Sequence, residues 1–436
     1  MKGISGIIAT ILLVLIAIAL VGTAYVFFSG MIGGRTSKTI SLLDANDNSI
    51  AISNDGTETI NQGDLKILVN SHEVTITNPQ SILPHKTAVL NFLPLHFGSN
   101  LQVMVVSPSN SVRASFDIKP LYNNEGFAVK DQCGRVWWTP SYKNGTFAAS
   151  VRLPDAPSPS GCCLHGAIDL SDYNHDGYLD IAVGTRGSAT NGADNPTVQI
   201  AFANPDGTFQ AWREVARLPV SRTCTMDYTS GGFDQDGKID LIATGDWVPY
   251  YFLKGNGDGT FQSPVSLGYW GGGNRGADAG DFNGDGKLDF IKARCCDGLV
   301  YTRLGRGDGT FSDENYVFDA GGAPYTMATG DFDNDGKVDA VSCEGGNGRH
   351  NFYKGNGDGT FQAAQFVFVA PSGQYGAGDA FDFDHDGNLD MVFNTWCVRM
   401  TYYAKGKGDG TFNTPIVVGN FAGFDCNMAI AAPPVY

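Results

Sequence analysis

The strongest constraint on this chain is an acidic nine-residue motif that returns five times. We number its copies acidic loops 1 to 5, and they stand at residues 172–180, 232–240, 281–289, 331–339 and 382–390. A second motif alternates with it, as NGTF at 144–147, PDGTF at 205–209, and GDGTF at 257–261, 307–311, 357–361 and 408–412. Two motifs that keep the same order along the chain indicate one structural unit repeated many times.

Each unit contains four short runs of strand-forming residues. In the third unit these runs are GADAGDF, KLDFIKA, LVYTRLG and TFSDENYVF. Four antiparallel strands per unit of about 50 residues are typical of a β-propeller blade. The 57 glycines and the 17% of charged residues also favour a turn-rich, all-β domain.

The strand runs also predict how many blades there are. Five complete units lie between residues 165 and 418, one further run stands at 427–434, and three runs stand at 126–130, 135–140 and 146–153. One C-terminal and three N-terminal strands would complete a sixth blade and leave no free edge in the ring. We therefore predict six blades, or seven if residues 90–120 supply another.

The repeats at residues 121–436 resemble the FG-GAP/VCBS repeats of integrin-α-type propellers, in which a DxDxDGxxD loop joins the first two strands of a blade. The acidic residues predict calcium sites by their own chemistry, because carboxylate, amide and carbonyl oxygens are the ligands of Ca²⁺ and the glycine at position 6 permits a sharp turn. Position 7 would contribute its backbone carbonyl. The alternative is a set of metal-free turns.

We predict about five Ca²⁺ sites, one in each acidic loop. Acidic loop 2 has Gly232 in place of the first aspartate and should bind more weakly. The predicted ligands are Asp172, Asn174, Asp176, Tyr178 and Asp180; Asp234, Asp236, Lys238 and Asp240; Asp281, Asn283, Asp285, Lys287 and Asp289; Asp331, Asp333, Asp335, Lys337 and Asp339; and Asp382, Asp384, Asp386, Asn388 and Asp390.

Strand order predicts that the acidic loops and the GDGTF turns share one face of the propeller. Every cysteine falls on the opposite face, and disulfides in an oxidising compartment fit them best. The candidates are Cys133, Cys162, Cys163, Cys224, Cys295, Cys296, Cys343, Cys397 and Cys426. Cys397 is expected to pair with Cys426, Cys343 with Cys295 or Cys296, and Cys133 with Cys162 or Cys163, with Cys224 taking the other.

The same face carries aromatic side chains and an arginine, a composition suited to a glycan or protein ligand. The resemblance to integrin-type propellers also places the ligand there, whereas the alternative is that these rings only pack the loops together. The candidate residues are Trp247, Trp270, Arg275, Tyr375 and Trp396.

The first residues form a long apolar run without charge from 4 to 34, enough for a helix that crosses a bilayer. The polar element 2–6 stands at the start of this uncharged stretch rather than after it. This order resembles the class III signal of archaeal type IV pilins and archaellins. That resemblance implies that a prepilin peptidase cuts between Gly3 and Ile4, and that residues 4–35 form a transmembrane and assembly helix. Bacterial pilins have a Glu near the mature start, and this chain does not. The alternatives are a simple anchor or a cleaved secretory peptide.

Residues 36–120 alternate in short strand runs and resemble the immunoglobulin-like headgroup of archaeal pilins. The expected fold class is therefore mainly β, with a long N-terminal α-helix, an immunoglobulin-like β-sandwich and a six-bladed β-propeller with calcium loops. The expected domains are the signal peptide at 1–3, the helix at 4–35, the sandwich at 36–120 and the propeller at 121–436.

Composition narrows the function. A net charge of −16 argues against a nucleic-acid partner, which needs a basic surface. The sequence contains no GxSxG, HExxH or glycine-rich phosphate loop, so we expect no enzyme.

We expect an extracellular subunit of a pilus-like filament. It would sit in the membrane before assembly, polymerise with copies of itself through the helix, and display the propeller for adhesion to a glycan or surface protein. The alternative is a membrane-anchored cell-surface lectin or receptor that does not polymerise.

Overall fold

The computed structural model describes most of the chain from residue 38 onward. Over these residues it forms 31 strands and no helix. The chain divides into two compact units. The first lies within Met1–Pro94 and Leu101–Phe116, and the second lies within Leu95–Asn100 and Asp117–Tyr436. The described residues are 38–45, 49–69, 72–74, 76, 78–91, 101–116, 124–131, 134–156, 167–185, 195–220, 225–245, 249–268, 274–294, 297–321, 324–344, 348–371, 377–395, 400–421 and 429–435.

The first unit contains two small antiparallel sheets, one of strands β1-β2-β5 and one of strands β4-β3-β6-β7. Alternate residues of β5 are buried, which is the pattern of a strand with one face on a core. The side-chain amide of Asn110 bonds both the N–H and the C=O of Ile40, at 2.9 and 2.8 Å. The strands are β1 (Ile40–Ala45), β2 (Ser49–Asn54), β3 (Lys66–Val69), β4 (His72–Val74), β5 (Thr87–Asn91), β6 (Leu101–Val106) and β7 (Ser111–Phe116).

The second unit contains six four-stranded antiparallel sheets. Their strands are β8 (Gly126–Lys130), β9 (Val136–Pro140) and β10 (Val151–Arg152), joined by β31 (Ala429–Ala431); β11 (Ile168–Ser171), β12 (Asp180–Gly184), β13 (Thr197–Ala201) and β14 (Arg213–Arg217); β15 (Thr225–Gly231), β16 (Asp240–Gly245), β17 (Tyr250–Leu253) and β18 (Val265–Gly268); β19 (Asn274–Gly280), β20 (Asp289–Arg294), β21 (Leu299–Arg303) and β22 (Asn315–Asp319); β23 (Pro324–Gly330), β24 (Asp339–Glu344), β25 (Arg349–Tyr353) and β26 (Gln365–Val369); and β27 (Gly378–Phe381), β28 (Asp390–Asn394), β29 (Met400–Ala404) and β30 (Ile416–Asn420).

These sheets are the blades of a β-propeller. The first strand of each blade contacts the first strand of the next, in the order β11, β15, β19, β23, β27 and β31, and β31 contacts β11 again. The strands β12 and β28 lie inside their blades and are buried along their whole length, whereas the outer strands β14 and β18 are largely exposed. The C-terminal strand β31 pairs with β8, so both ends of this unit lie in one blade, as the sequence predicted.

The fold class expected from the sequence is wrong as stated, because it included a long N-terminal helix. All regular secondary structure in the described residues is β-strand. They contain no helix, and therefore no helix that could cross a membrane. The expected helix at 4–35 and the signal peptide at 1–3 lie outside the described residues. The helix was inferred from the apolar run and from the resemblance of residues 2–6 to the class III signal, and the repeated motifs that support the blades do not extend to it.

Buried aspartates join successive blades around the axis of the propeller. Asp278 Oδ2 accepts the backbone N–H of Thr329 in the next blade at 2.7 Å. Asp379 Oδ2 accepts the N–H of Ala432 at 2.7 Å in the same way. Each carboxyl oxygen pairs a buried backbone N–H of the neighbouring blade, so these residues hold neighbouring first strands together.

The carboxyl groups of Asp278 and Asp379, together with that of Asp169, line one small cavity of about 20 Å³. Burial raises the pKa of Asp169 to about 6 and that of Asp278 to about 7. Burial, followed by the charge of Asp278, raises the pKa of Asp379 well above its ordinary value. The folded state thus prefers these groups protonated, so their contribution to stability is full below about pH 4 and is lost as the pH rises through about 6 to 7.

We predict that Asp169→Asn raises the melting temperature at pH 8, because it removes a buried carboxylate that is ionised at that pH and shares a cavity with Asp278 and Asp379. The amide oxygen can still accept a hydrogen bond from Ser230, and the hydroxyl of Tyr173 can rotate to accept one from the amide. We expect a gain of about 2–4 °C at pH 8, and no gain at pH 4.5, where the carboxyl groups are protonated. Calorimetric melts of both proteins across this range check it, and an equal effect at both pH values would contradict it.

Candidate metal centres

Each acidic loop joins the first and second strands of its blade and turns with two residues in the left-handed backbone region. In acidic loop 4 these are Asn334 at position 4 (φ 57°) and Gly336 at position 6 (φ 82°). The sequence predicted the glycine but not the strained fourth position. The sequence hints at a left-handed fourth residue only in loop 3, which has Gly there, and in loop 4, which has Asn. The other loops have His or Gln at this position.

The first aspartate of the motif organises the loop. In acidic loop 4, Asp331 accepts the N–H of Asp335 at 3.0 Å and that of Gly336 at 2.9 Å. Asp172, Asp281 and Asp382 accept the same two N–H groups in loops 1, 3 and 5. These bonds bend the chain around the carboxylate, and loop 2 lacks them because Gly232 has no side chain.

The ninth aspartate is fully buried in all five loops, with 0% of its surface exposed. In acidic loop 4, Asp339 Oδ2 accepts the N–H of Phe332 at 3.1 Å, and its Oδ1 accepts the N–H of Gly355 at 2.7 Å. Burial raises the pKa of Asp180, Asp240 and Asp289 to about 8 and that of Asp339 and Asp390 to about 7. This residue connects the loop to the end of the third strand, whether or not it also binds a cation.

The remaining predicted ligands face the same loops. The fifth-position aspartate accepts the N–H of the seventh residue in every loop, for example Asp335 from Lys337 at 3.0 Å. The third-position oxygens of Asn174 and Asn283 accept the N–H of the fifth residue at 3.1 and 2.9 Å. The structure therefore collects the predicted side chains of each motif in one turn.

A lysine from the end of the third strand enters three of these loops. Lys354 Nζ contacts Asp333 and lies 2.9 Å from Asp335 Oδ2. Lys254 and Lys405 make the corresponding contacts in loops 2 and 5, with fifth-position distances of 2.9 and 2.8 Å. Hydrogen bonds to Asp333 and Asp335 raise the pKa of Lys354 above its usual value, so the ammonium stays charged. The motifs themselves did not reveal this lysine.

The donor set of these loops fits a hard cation. In loop 4, Asp331, Asp333 and Asp335 each bring one carboxylate oxygen within 4.8 Å of the others, and Asp382, Asp384 and Asp390 do so in loop 5. Asp333 Oδ1 is also buried without a hydrogen-bond partner. An unpaired buried carboxylate oxygen is costly, and a cation is the partner that would satisfy it.

The GDGTF turn joins each blade to the one before it, a role beyond the simple turn that its sequence predicted. The backbone N–H of its second glycine donates to a carbonyl in the acidic loop of the preceding blade. For example, Gly359 N donates to the carbonyl of Phe282, the second residue of acidic loop 3, at 2.8 Å. Its phenylalanine packs edge-on against the side chain of that same second residue, with ring centroids 5.6 Å apart for Phe361 and Phe282. The acidic loops and these turns thus share one face, as predicted.

The opposite face is only partly described. Eight of the nine candidate cysteines and the candidate ligand residues Trp247, Trp270, Tyr375 and Trp396 lie outside the described residues. Cys343 and Arg275 lie in β24 and β19, but their side chains are outside the described part. The disulfides and the ligand surface therefore stay predictions.

The histidine of β25, His350, belongs to the core. His350 is 1% exposed, and its ring stacks on Phe368 at 4.4 Å and contacts Phe393 at 4.7 Å. Burial lowers the pKa of His350 to about 4. It is a neutral core residue at physiological pH and not part of a ligand surface.

The family model described as FG-GAP-like repeat matches residues 232–291 and 331–393. The chain contains FG-GAP-like repeats. The matched segments include acidic loops 2, 3, 4 and 5 and the strands between loops 2 and 3 and between loops 4 and 5. The repeat prediction is therefore confirmed, and so is the β-propeller. No curated protein matches the chain.

Solved structures with similar folds include proteins of different activities. An Agrocybe aegerita lectin, described as recognising non-reducing terminal N-acetylglucosamine, is 16% identical over 85% of this chain and 96% of its own, with a TM-score of 0.44. The periplasmic gluconolactonase PpgL of Pseudomonas aeruginosa is 16% identical over 77% and 98%, with a TM-score of 0.41. A rhamnogalacturonan lyase of Bacillus licheniformis is 14% identical over 88% and 69%, with a TM-score of 0.31. These likenesses do not assign an activity to the FG-GAP-like propeller.

The packing between blades can be tested at two equivalent glycines. Gly259 and Gly207 occupy the same turn position with φ of 77° and 81°, but a Cβ on Gly259 would lie 2.2 Å from the ring of Phe202, whereas nothing lies within 4 Å of one on Gly207. We predict that Gly207→Ala costs about 1–2 kcal/mol, because only the backbone is strained. Gly259→Ala should cost about 1–3 kcal/mol more, because the blades must also move apart.

Urea unfolding followed by tryptophan fluorescence measures this difference, because all six tryptophans lie within the residues of the propeller unit. Equal costs for the two glycines would show that the turn does not hold neighbouring blades together.

Proposed function

We propose that this chain displays a calcium-stabilised β-propeller outside the cell, as a binding module for a glycan or a surface protein. The observation that supports it is the set of five acidic loops in equivalent positions on one face. The role is binding rather than catalysis, because the sequence carries none of the common hydrolase, protease or phosphate-loop motifs.

The chemistry of the loops favours calcium over other metals. Their side chains offer carboxylate and amide oxygens, which suit a hard divalent cation, and they offer no sulfur ligand. When bound, Ca²⁺ would neutralise carboxylates that otherwise repel one another at short range. Asp331, Asp333 and Asp335 would hold it in loop 4, and the corresponding residues would hold it in the other loops, with the weakest site in loop 2.

We predict that chelation lowers the melting temperature of the propeller. A ligand that binds only the folded state stabilises it by about 2.7 kcal/mol per site when its free concentration is a hundred times Kd. Asp285→Ala, which removes a fifth-position ligand, should reduce the calcium-dependent shift. Asp308→Ala in the turn of the same blade should not, because Asp308 is exposed and caps only Thr310.

Calorimetry in EGTA and in millimolar CaCl₂ measures these shifts. If melting is the same in both solutions, the loops are turns without metal and the proposal fails.

We further propose that the N-terminal segment assembles the chain into a pilus-like filament. The support comes from sequence alone, namely the polar residues 2–6 ahead of the uncharged run 4–34. Small residues within that run, such as Ala17, Gly22 and Ala24, would let neighbouring copies approach closely. The propeller would then be repeated along the filament surface, which would raise its effective affinity for a polyvalent ligand.

Processing separates this proposal from a simple membrane anchor. We predict that mass spectrometry of the native protein finds Ile4 as the first residue, and that electron microscopy finds filaments in sheared surface fractions that carry the propeller. An intact Met1 on isolated membranes, without filaments, would instead support the membrane-anchored lectin or receptor.

A further inference from the structure

The acidic loops are of two types, which differ at two positions together. In loops 2, 4 and 5, which we call lysine loops, the third position is Asp and the residue directly after the third strand of the blade is Lys. In loops 1 and 3, which we call asparagine loops, the third position is Asn and the residue directly after the third strand is apolar. The paired residues are Asp234 with Lys254, Asp333 with Lys354, and Asp384 with Lys405, against Asn174 with Phe202, and Asn283 with Leu304.

The contacts explain why these positions change together. In each lysine loop the ammonium lies between the third and fifth carboxylates, as Lys354 does between Asp333 and Asp335. In acidic loop 1, Asn174 Nδ2 itself donates to Asp176 Oδ2 at 3.0 Å, so no ammonium is needed there. The side chain of Phe202 lies instead against Gly259 in the next blade.

The charges balance in the same way. Acidic loop 4 has four aspartates and one lysine, whereas acidic loop 3 has three aspartates at the ligand positions and no such lysine. The extra carboxylate and the ammonium cancel, so each lysine compensates the aspartate that accompanies it. The lysine side chain is 26% exposed in loop 4, which leaves it room to turn towards solvent.

We propose that Lys254, Lys354 and Lys405 are internal counter-ions that keep the lysine loops closed without metal and weaken their binding of calcium. The part that concerns calcium rests on the proposed function. A cation entering a lysine loop must displace an ammonium from two of its ligands. In asparagine loop 3 the only ammonium among the described residues is that of Lys287, which contacts one ligand, Asp285, at 3.1 Å. Calcium would therefore occupy loops 1 and 3 first, and the other three loops would remain folded when calcium is scarce.

The test compares two lysines of the propeller. Lys354→Met removes the counter-ion, whereas Lys407→Met removes the same charge from an exposed turn residue that is no predicted ligand and makes no ion pair among the described residues. Without metal, in EDTA, we expect Lys354→Met to lower the melting temperature and Lys407→Met to leave it nearly unchanged. This comparison does not depend on any metal binding.

Isothermal titration with CaCl₂ tests the second part. The wild-type protein should show two tighter sites, and Lys354→Met should show a third, with affinity at loop 4 raised about tenfold because one competing positive charge is gone. Lys407→Met should keep two. The reciprocal double variant Asn283→Asp/Leu304→Lys should reduce the tighter sites to one, with circular dichroism confirming that it folds.

The outcomes separate the two proposals. If the wild-type protein binds no calcium, the proposed metal function fails. The melting temperatures in EDTA still test whether the lysines act as counter-ions. If the two lysine variants melt alike in EDTA, or if the protein binds calcium and the two variants bind it alike, the lysine is a surface side chain and the inference is overturned.

Discussion

The buried aspartate at the ninth position of each acidic loop is the contact on which the rest of a blade depends. One of its oxygens accepts an N–H at the start of the loop and the other accepts an N–H at the end of the third strand, as Asp289 does from Phe282 and Gly305. Three strands and two turns are thereby fixed around a single carboxyl group. Leaving two buried N–H groups unpaired would cost several kcal/mol, so the acidic residue is needed for architecture before it is needed for any ligand.

Contacts between blades use the same face. The turn of one blade bonds the acidic loop of the blade before it, and an aromatic pair covers that bond. The series ends where Phe383 of acidic loop 5 packs against Phe147 of the first blade, with ring centroids 5.2 Å apart, because the first blade has no acidic loop of its own. The axial aspartates add a second ring of bonds nearer the centre. Each blade is therefore joined to a neighbour both near the central axis and farther out, at the acidic loops.

Periodicity in the sequence predicted the blades, the shared face of the two motifs and the strand that closes the ring, because each depends on local spacing. It did not predict the axial aspartates, since Asp278 has no distinctive neighbours and its partner Thr329 lies in another repeat. Nor did it identify Lys354, whose role appears only when the third strand folds back on the loop. The long N-terminal helix was an inference from apolar character without a repeat, and the described fold is all-β.

The pairing of β31 with β8 has a consequence for how the molecule is made. Residues 126–130 leave the ribosome almost 300 residues before their partner at 429–431 exists. Until then the first blade lacks its innermost strand, and the ring can neither close nor exclude water from its centre. Completion must wait until residues 429–431 have been made, and their pairing with β8 is a slow, non-local step. Pairing of β31 with β8 is therefore a late event in the folding of the propeller.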